Sequence, residues 1–294
     1  MITLLSHVVS GGLTGFLYAL IAMGFVIIYR SSKMFNLAQG EILMIGAFLV
    51  WSFAQYFGLP LWLSILLAFA VSFVVGLFIE RFIFRPLVGE ELFTLFMVTL
   101  GLMIFIRGFA LVVWGAEVHF FPAVFPMAGV RAGPFMLDRG LVIGAGITIF
   151  LAILISWIFN HTRRGLEMTA VAEDHQIALS LGLNVKRSIA VAWGVSGVLS
   201  TLAAIIFLSG KGMSILVTDI GLGAVPVAFL AGVESVGGLI LAGLLMGISM
   251  GLAEYFLDPV FEGGVAAVFP YIVMIVVLLL RPSGLFGWKT IERI

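Results

Sequence analysis

Residues 61–84 read Leu61-Trp-Leu-Ser-Ile-Leu-Leu-Ala-Phe-Ala70-Val-Ser-Phe-Val-Val-Gly-Leu-Phe-Ile79-Glu80-Arg81-Phe-Ile-Phe84. From Leu61 to Ile79 there is no charge and no polar face. A helix on the surface of a soluble domain needs a polar stripe, whereas a bilayer core of about 30 Å needs about 20 mostly apolar residues. The stretch therefore reads as a membrane crossing. It starts after the turn residues Gly58 and Pro60 and ends at Glu80, Arg81, Arg85 and Pro86.

The same pattern repeats in both directions. Upstream lie 8–29, closed by Arg30 and Lys33, and 37–57, which opens on the polar residues Asn36, Gln39 and Glu41. The run at 8–29 has no short basic leader and no cleavage site before a polar chain, so it reads as a span, not a signal peptide. Downstream lie 92–114 (with Arg107 inside), 140–159, 189–209, 236–256 and 266–280. Between 115 and 139 a less apolar stretch with Pro122, Pro126 and Pro134 reads as a loop. Segment 220–233 is apolar but short, giving about 21 Å as a helix, and Glu234 and Ser235 interrupt it. The expectation is an all-α polytopic membrane protein forming a single domain over 1–294. It has about eight transmembrane segments, one of them short or broken.

Composition agrees. Of 294 residues 62% are hydrophobic and 10% charged, and mean hydropathy is +1.25, against roughly 25% charged residues in a soluble domain. Fifteen basic and fifteen acidic residues are too few to clothe a surface in water. A soluble enzyme, a disordered chain and a nucleic-acid binder are excluded, the last needing a net basic face. The absence of cysteine excludes disulfides and thiolate metal sites.

Basic residues set the orientation. With 160–188 in the cytoplasm, that side holds Arg30, Lys33, Arg81, Arg85, Arg163, Arg164, Lys186, Arg187, Arg281, Lys289 and Arg293. The outer side holds Arg131, Arg139 and Lys211, and Arg107 falls within the membrane. The N-terminus is then outside and the C-terminus inside, and 220–233 must cross or nearly cross.

No catalytic set emerges. His7, His119, His161 and His175 neither sit mid-span nor pair at helical spacing, which excludes a haem or di-metal core. The sequence lacks a P-loop, His-Glu-x-x-His and Gly-x-Ser-x-Gly. No cofactor is expected, and an enzyme within the membrane lacks a nucleophile–base pair. Three segments carry other information. Asn36, Gln39 and Glu41 enter a span, where a carboxylate is expensive; they read either as a substrate-path lining or, for Glu41, as an acid at the positive end of a helix. Gly243, Gly247 and Gly251 form one stripe for close helix packing, on this chain or another. The polar segment 160–188 carries Arg163, Arg164 and Gly165, then a stretch at 166–181 able to form an amphipathic helix, stopped by Gly182 and Asn184. It is a solvated loop helix or a handle for a partner.

Four blocks, in order, resemble the permeases of branched-chain amino acid ABC transporters. They are Gly15-Phe-Leu-Tyr18-Ala19-Leu with Asn36-Leu-Ala-Gln-Gly-Glu41-Ile-Leu-Met44; Thr162-Arg-Arg-Gly165-Leu-Glu-Met-Thr-Ala170-Val-Ala172 running to Gly182; Ala231-Gly232-Val-Glu234-Ser235-Val-Gly237-Gly238; and Arg281-Pro282-Ser-Gly284-Leu285-Phe286-Gly287. The chain is similar to the smaller of the two permease subunits. It departs at Gln39, where the family often has His, and at Val233-Glu234-Ser235, where a Gly-rich run is usual. The resemblance implies an importer of amino acids, of the branched-chain type, in a bacterial inner membrane. Its partners would be a second permease subunit, two ATP-binding subunits that hydrolyse the ATP, and a periplasmic binding protein. Relatives for urea, amides or aromatic acids are the alternative, and a stand-alone secondary transporter using Glu41 is the rival. The resemblance also implies that 160–188 is the ATPase coupling loop, with Arg163, Arg164, Gly165, Ala172, Glu173, Asp174, Ala178, Leu181 and Gly182 at the contact.

Overall fold

The computed structural model describes residues 2–87, 89–126, 129–132, 135–173, 178, 180 and 184–287. The chain is helical almost throughout. Helix α1 runs Ile2–Ser32 and α2 Gln39–Trp51, the latter extended by a π-helical turn at Ser52–Tyr56. Helix α3 is Leu61–Ile79, continued by a second π turn, Glu80–Phe84, and a 3-10 turn, Arg85–Leu87. Helices α4 (Leu92–Trp114), α5 (Arg139–His161), α6 (Arg163–Glu173) and α7 (Val185–Leu208) follow. Two short helices, α8 (Thr218–Gly223) and α9 (Val225–Ala231), precede α10 (Gly238–Phe256) and α11 (Val265–Leu280). Among the described residues six helices are long and apolar enough to cross a membrane, and the helices within Ile215–Ala231 and Val265–Leu280 are shorter apolar segments. Adding α2, each apolar run read from the sequence returns as helix, and the protein is an all-α polytopic membrane protein.

Local chemistry fixes several helix ends. Asp138 caps α5 by accepting from the backbone N–H of Gly140 at 2.7 Å, and Thr162 Oγ1 accepts from Gly165 N–H as α6 begins. Asn184 accepts from Arg187 N–H at 3.0 Å, so it starts α7, where the sequence pattern made it a stop for the preceding helix. In the π turn after α3, Glu80 and Arg85 are five residues apart, the spacing that a π turn brings onto one face. Arg85 Nη2 donates to Glu80 Oε2 at 2.6 Å, which neutralises the buried carboxylate. The 115–139 loop carries two small antiparallel pairings. Strand β1 (His119–Phe120) joins β4 (Gly212–Met213), and β2 (Val130–Ala132) joins β3 (Phe135–Leu137).

The core forms around α1, α2 and α7, and the closest helix pair is α1 with α10. Both faces of that pair are glycine. A Cβ on Gly247 would lie 2.8 Å from Cα and N of Gly15 and would collide with the carbonyl oxygen of Gly11. A Cβ on Gly243 would lie 2.8 Å from the Ala19 Cβ, and one on Gly251 2.8 Å from the His7 carbonyl carbon. The stripe Gly243, Gly247, Gly251 thus packs backbone to backbone on α1 of the same chain. The matching pair Gly11-x-x-x-Gly15 was present in the sequence and carried the same signal. By contrast α3, α4 and α5 expose large apolar side chains such as Phe78, Phe105 and Phe150 outward, as lipid-facing helices do.

Candidate functional site

Helix α2 begins deep inside the bundle. After α1 ends at Ser32, residues 33–38 are not helical and fold back along α1. Phe35 stacks on Phe25 (ring centroids 4.8 Å apart) and packs against Phe229 of α9 at 4.9 Å. Asn36 Oδ1 accepts from Ala38 N–H at 3.1 Å, turning the chain into α2. Gln39 Nε2 then donates to Ser200 Oγ at 2.6 Å and to Ser196 Oγ at 2.9 Å, and Asn36 Nδ2 donates to Gln39 Oε1 at 3.3 Å. Ser196 sits halfway along α7 and also donates to the Gly24 carbonyl of α1 at 3.1 Å. The first turn of α2 is therefore level with the middle of a membrane-length helix.

The short helices α8 and α9 begin at the same level from the other side. Beyond β4 the chain dips inward through Ile215–Val217, a 3-10 turn capped by Ser214, and reaches Thr218. Gly40 and Gly221 let the two helix starts cross: a Cβ on Gly221 would lie 2.7 Å from the Gly40 nitrogen, and one on Gly40 would meet the Thr218 carbonyl. Two interrupted helices thus meet mid-membrane, and segment 220–233 starts from the bundle interior instead of the outer surface.

Beside this junction lies an ion pair that joins three separate parts of the chain. Arg107 of α4 donates through Nη2 to Glu41 Oε1 at 2.9 Å and to Thr218 Oγ1 at 2.7 Å. Glu41 is buried, whereas the Arg107 side chain remains 39% exposed. Arg107 Nε has no hydrogen-bond partner among the described residues. Glu41 also sits in the first turn of α2, next to its positive end. Glu41 is thus at a helix start and bound to an intramembrane cation. Asn36 and Gln39 are fully buried among α1, α2 and α7, so in this conformation neither faces open space. Sequence reasoning placed Arg107 in the membrane but missed its partners, which lie 66 and 111 positions away in the chain.

At the other end, α6 docks under the bundle. Its Gly165 is pressed on the end of α5, where a Cβ would lie 2.8 Å from the Ile158 carbonyl carbon. Arg30 Nη2 donates to Thr169 Oγ1 at 3.2 Å, and the Arg30 guanidinium lies over the Phe159 ring, 4.4 Å from its centroid. Val171, Ala172 and Ala178 are buried in the chain itself. Ala172 and Ala178, expected at a partner contact, thus face inward in the isolated chain. Outward face Arg163, Arg164, Glu167, Ala170 and Leu166, the last 57% exposed. The Glu173 side chain and Asp174, Leu181 and Gly182 lie outside the described residues, as do Lys289 and Arg293. Lys33 and Glu234 form an ion pair between the 33–38 turn and the turn after α9. Beside it is a cleft of about 430 Å³ lined by Arg30, Ser156, Asn160, Glu234, Gly238 and Phe286. Among the described residues no group of His, Cys, Asp and Glu could hold a metal ion.

The comparison with known proteins decides the family. The sequence model described as "Branched-chain amino acid transport system / permease component" matches residues 8–278. The chain belongs to this family. It is similar to the high-affinity branched-chain amino acid transport system permease protein BraD of Pseudomonas aeruginosa, with 31% identity covering 99% of this chain and 98% of that one. LivH of Escherichia coli, with the same descriptive name, is 27% identical over 99% and 97% of the two chains. The probable branched-chain amino acid transport permease LivH of Methanocaldococcus jannaschii is 25% identical over 95% and 91%. Among solved structures, PsaBC of Streptococcus pneumoniae in complex with Fab aligns over 93% of this chain and 91% of that chain, with TM-score 0.49 and 13% identity. That likeness is too distant to carry an argument.

Proposed function

We propose that this permease subunit imports branched-chain amino acids (leucine, isoleucine and valine) across a bacterial inner membrane as part of an ATP-binding-cassette assembly. The observation that carries the proposal is the family match along nearly the whole chain, 8–278, with relatives of that named substrate class matching end to end. In this reading a second, different permease subunit completes the path and an extracytoplasmic binding protein delivers the substrate. Two ATP-binding subunits dock below and supply all ATP hydrolysis. The single permease domain holds the N-terminus outside and the C-terminus in the cytoplasm, with 160–188 as the coupling loop. Its exposed residues Arg163, Arg164 and Leu166 meet the ATPase, and the buried Val171 and Ala172 anchor the helix to the bundle. Arg30 links that helix to α1, next to the turn leading to Asn36, Gln39 and Glu41. A push on α6 then reaches the start of α2, where the substrate path passes the junction of interrupted helices, a recurring location for transporter sites.

The test is co-purification of the tagged chain from cells expressing its natural operon. Recovery of two ATP-binding chains and a second permease per complex supports the proposal. Recovery of this chain alone, active as a transporter under an ion gradient, refutes it.

A further inference from the structure

Two clefts share a wall at one end of the bundle. The first, of about 430 Å³, lies beside the Lys33–Glu234 pair, and Arg30 forms part of its lining. The second, of about 260 Å³, is lined by Ile153, Trp157, His161 and Ile240. Ser156, Asn160 and Gly237 line both, so the two make one groove between the end of α5 and the start of α10. Helix ends fix its level. Arg30 is in the last turn of α1, Asn160 is in the last turn of α5, and Gly237 caps the start of α10. Membrane helices end where the hydrocarbon core gives way to headgroups. The groove changes character along its length. At one end stands the Arg30 guanidinium, part-buried, bonded to the Thr169 hydroxyl and laid over the Phe159 ring. It forms no ion pair among the described residues. Glu234, in the same cleft, is paired with Lys33. Arg30 thus brings a positive charge without a carboxylate partner, close to the amide of Asn160. Along the mouth, Ile153 and Trp157 of α5 and Leu241 of α10 are exposed, continuous with the lipid-facing surface of α5.

We propose that this groove binds an anionic phospholipid. Its phosphodiester sits at Arg30 and Asn160, and an acyl chain lies along Ile153, Trp157 and Leu241. Each part of the groove selects part of this occupant. The guanidinium matches a phosphate in charge and in geometry. The apolar mouth matches a chain that a water-soluble phosphate lacks. A zwitterionic headgroup brings an ammonium, and the acid nearest to it, Glu234, already has Lys33 as its partner. Basic pockets between membrane helices are a recurring place for anionic headgroups, and tryptophan is enriched at headgroup level. The same guanidinium holds Thr169 of α6, so a lipid bound here also steadies that helix against the bundle.

The test is native mass spectrometry of the tagged full-length chain in detergent, with whatever subunits accompany it. The probes are phosphatidylglycerol, phosphatidylcholine with the same acyl chains, and glycerol 3-phosphate as the soluble phosphate. Wild type is expected to bind phosphatidylglycerol about fivefold tighter than phosphatidylcholine, the worth of one basic residue at a membrane surface. It should bind glycerol 3-phosphate far more weakly than either lipid. Arg30→Gln should remove the preference for phosphatidylglycerol. Gly237→Phe tests the groove without changing its charge: a Cβ at 237 meets Ser156 Oγ at 3.8 Å and nothing nearer, so the ring has room to enter and displace the lipid. Gly146→Phe, placed on α5 where a Cβ meets nothing within 4 Å, should bind as wild type does. Equal wild-type affinity for the two lipids, or an undiminished preference in folded Gly237→Phe, would overturn the site. Glycerol 3-phosphate bound as tightly as phosphatidylglycerol would overturn the lipid in favour of a soluble anion. If Arg30→Gln fails to fold, the wild-type comparison and Gly237→Phe decide between these outcomes.

Discussion

Replacing a helical glycine by alanine gives opposite results at two places in this protein. Intrinsic helix propensity favours alanine by about 0.8–1.0 kcal/mol. At Gly146 of α5 an added Cβ meets nothing within 4 Å, so Gly146→Ala should be neutral or stabilising by up to about that amount. At Gly247 the same atom would lie 2.8 Å from the Gly15 backbone, about 0.6 Å short of the 3.4 Å at which ordinary contact begins. The neighbour is backbone, so no rotamer change relieves the overlap; α1 and α10 must move apart along their whole glycine seam. A gap of about 0.5–1 Å forfeits about a quarter to a half of each dispersion contact across it, and overpacking a fitted core costs typically about 1–3 kcal/mol. The loss outweighs the propensity gain, so Gly247→Ala should be net destabilised by up to about 2 kcal/mol. Because Gly11 and Gly15 belong to the same chain, the lesion should appear in the isolated subunit before any assembly. Thermal unfolding of both variants in detergent, followed by size-exclusion fluorescence, measures it. A Gly247→Ala subunit as stable as Gly146→Ala would refute the backbone-to-backbone packing of α1 on α10.

Glu41→Gln leaves the partly exposed Arg107 charge without its buried counter-ion, at a cost below the about 3–5 kcal/mol of breaking a fully buried pair; folded yield should fall, and Glu41→Gln with Arg107→Gln should recover yield, a double-mutant comparison that an uncoupled pair would fail. In the coupling helix, Leu166→Asp should lower substrate-stimulated ATP hydrolysis of the full complex while leaving subunit stability unchanged, whereas Val171→Asp should prevent folding; equal effects of both on stability would count against an exposed docking face. Cysteine placed at 131 in this cysteine-free chain should react with an impermeant maleimide from outside the cell, and one at 163 only after permeabilisation; the reverse pattern would invert the topology.

The apolar runs and Gly/Pro punctuation were enough to locate each membrane helix, because hydropathy is a local property. Even there the reading of about eight segments sits uneasily with termini on opposite sides, which need an odd number of crossings. Counting α2 and treating the interrupted α8–α9 as one segment gives nine apolar helical segments among the described residues. What hydropathy did not reveal were pairings between distant segments. The partner of the Gly243–Gly251 stripe was written as Gly11-x-x-x-Gly15, but nothing in sequence spacing says which two stripes meet. The charge of Arg107 inside a span was visible, and so was the carboxylate of Glu41, but their bond depends on residues 33–38 carrying α2 into the bundle before it begins. That descent rests on small polar contacts, Asn36 with Ala38 and Gln39 with two serines, which have no periodicity to read. The inward face of α6 was hidden for a related reason: a small residue such as Ala172 fits a partner surface and a tight internal contact equally well, and the position of α5 and α1 against α6 is not written in its spacing.

The measurement that bears most directly on the account is leucine uptake into proteoliposomes, comparing this chain alone with the full set of two permeases, two ATP-binding subunits and binding protein. The account predicts accumulation by the full set with ATP, its loss when either ATP or the binding protein is withheld, and none by the chain alone under a proton or sodium gradient. Gradient-driven leucine accumulation by the chain alone would contradict it.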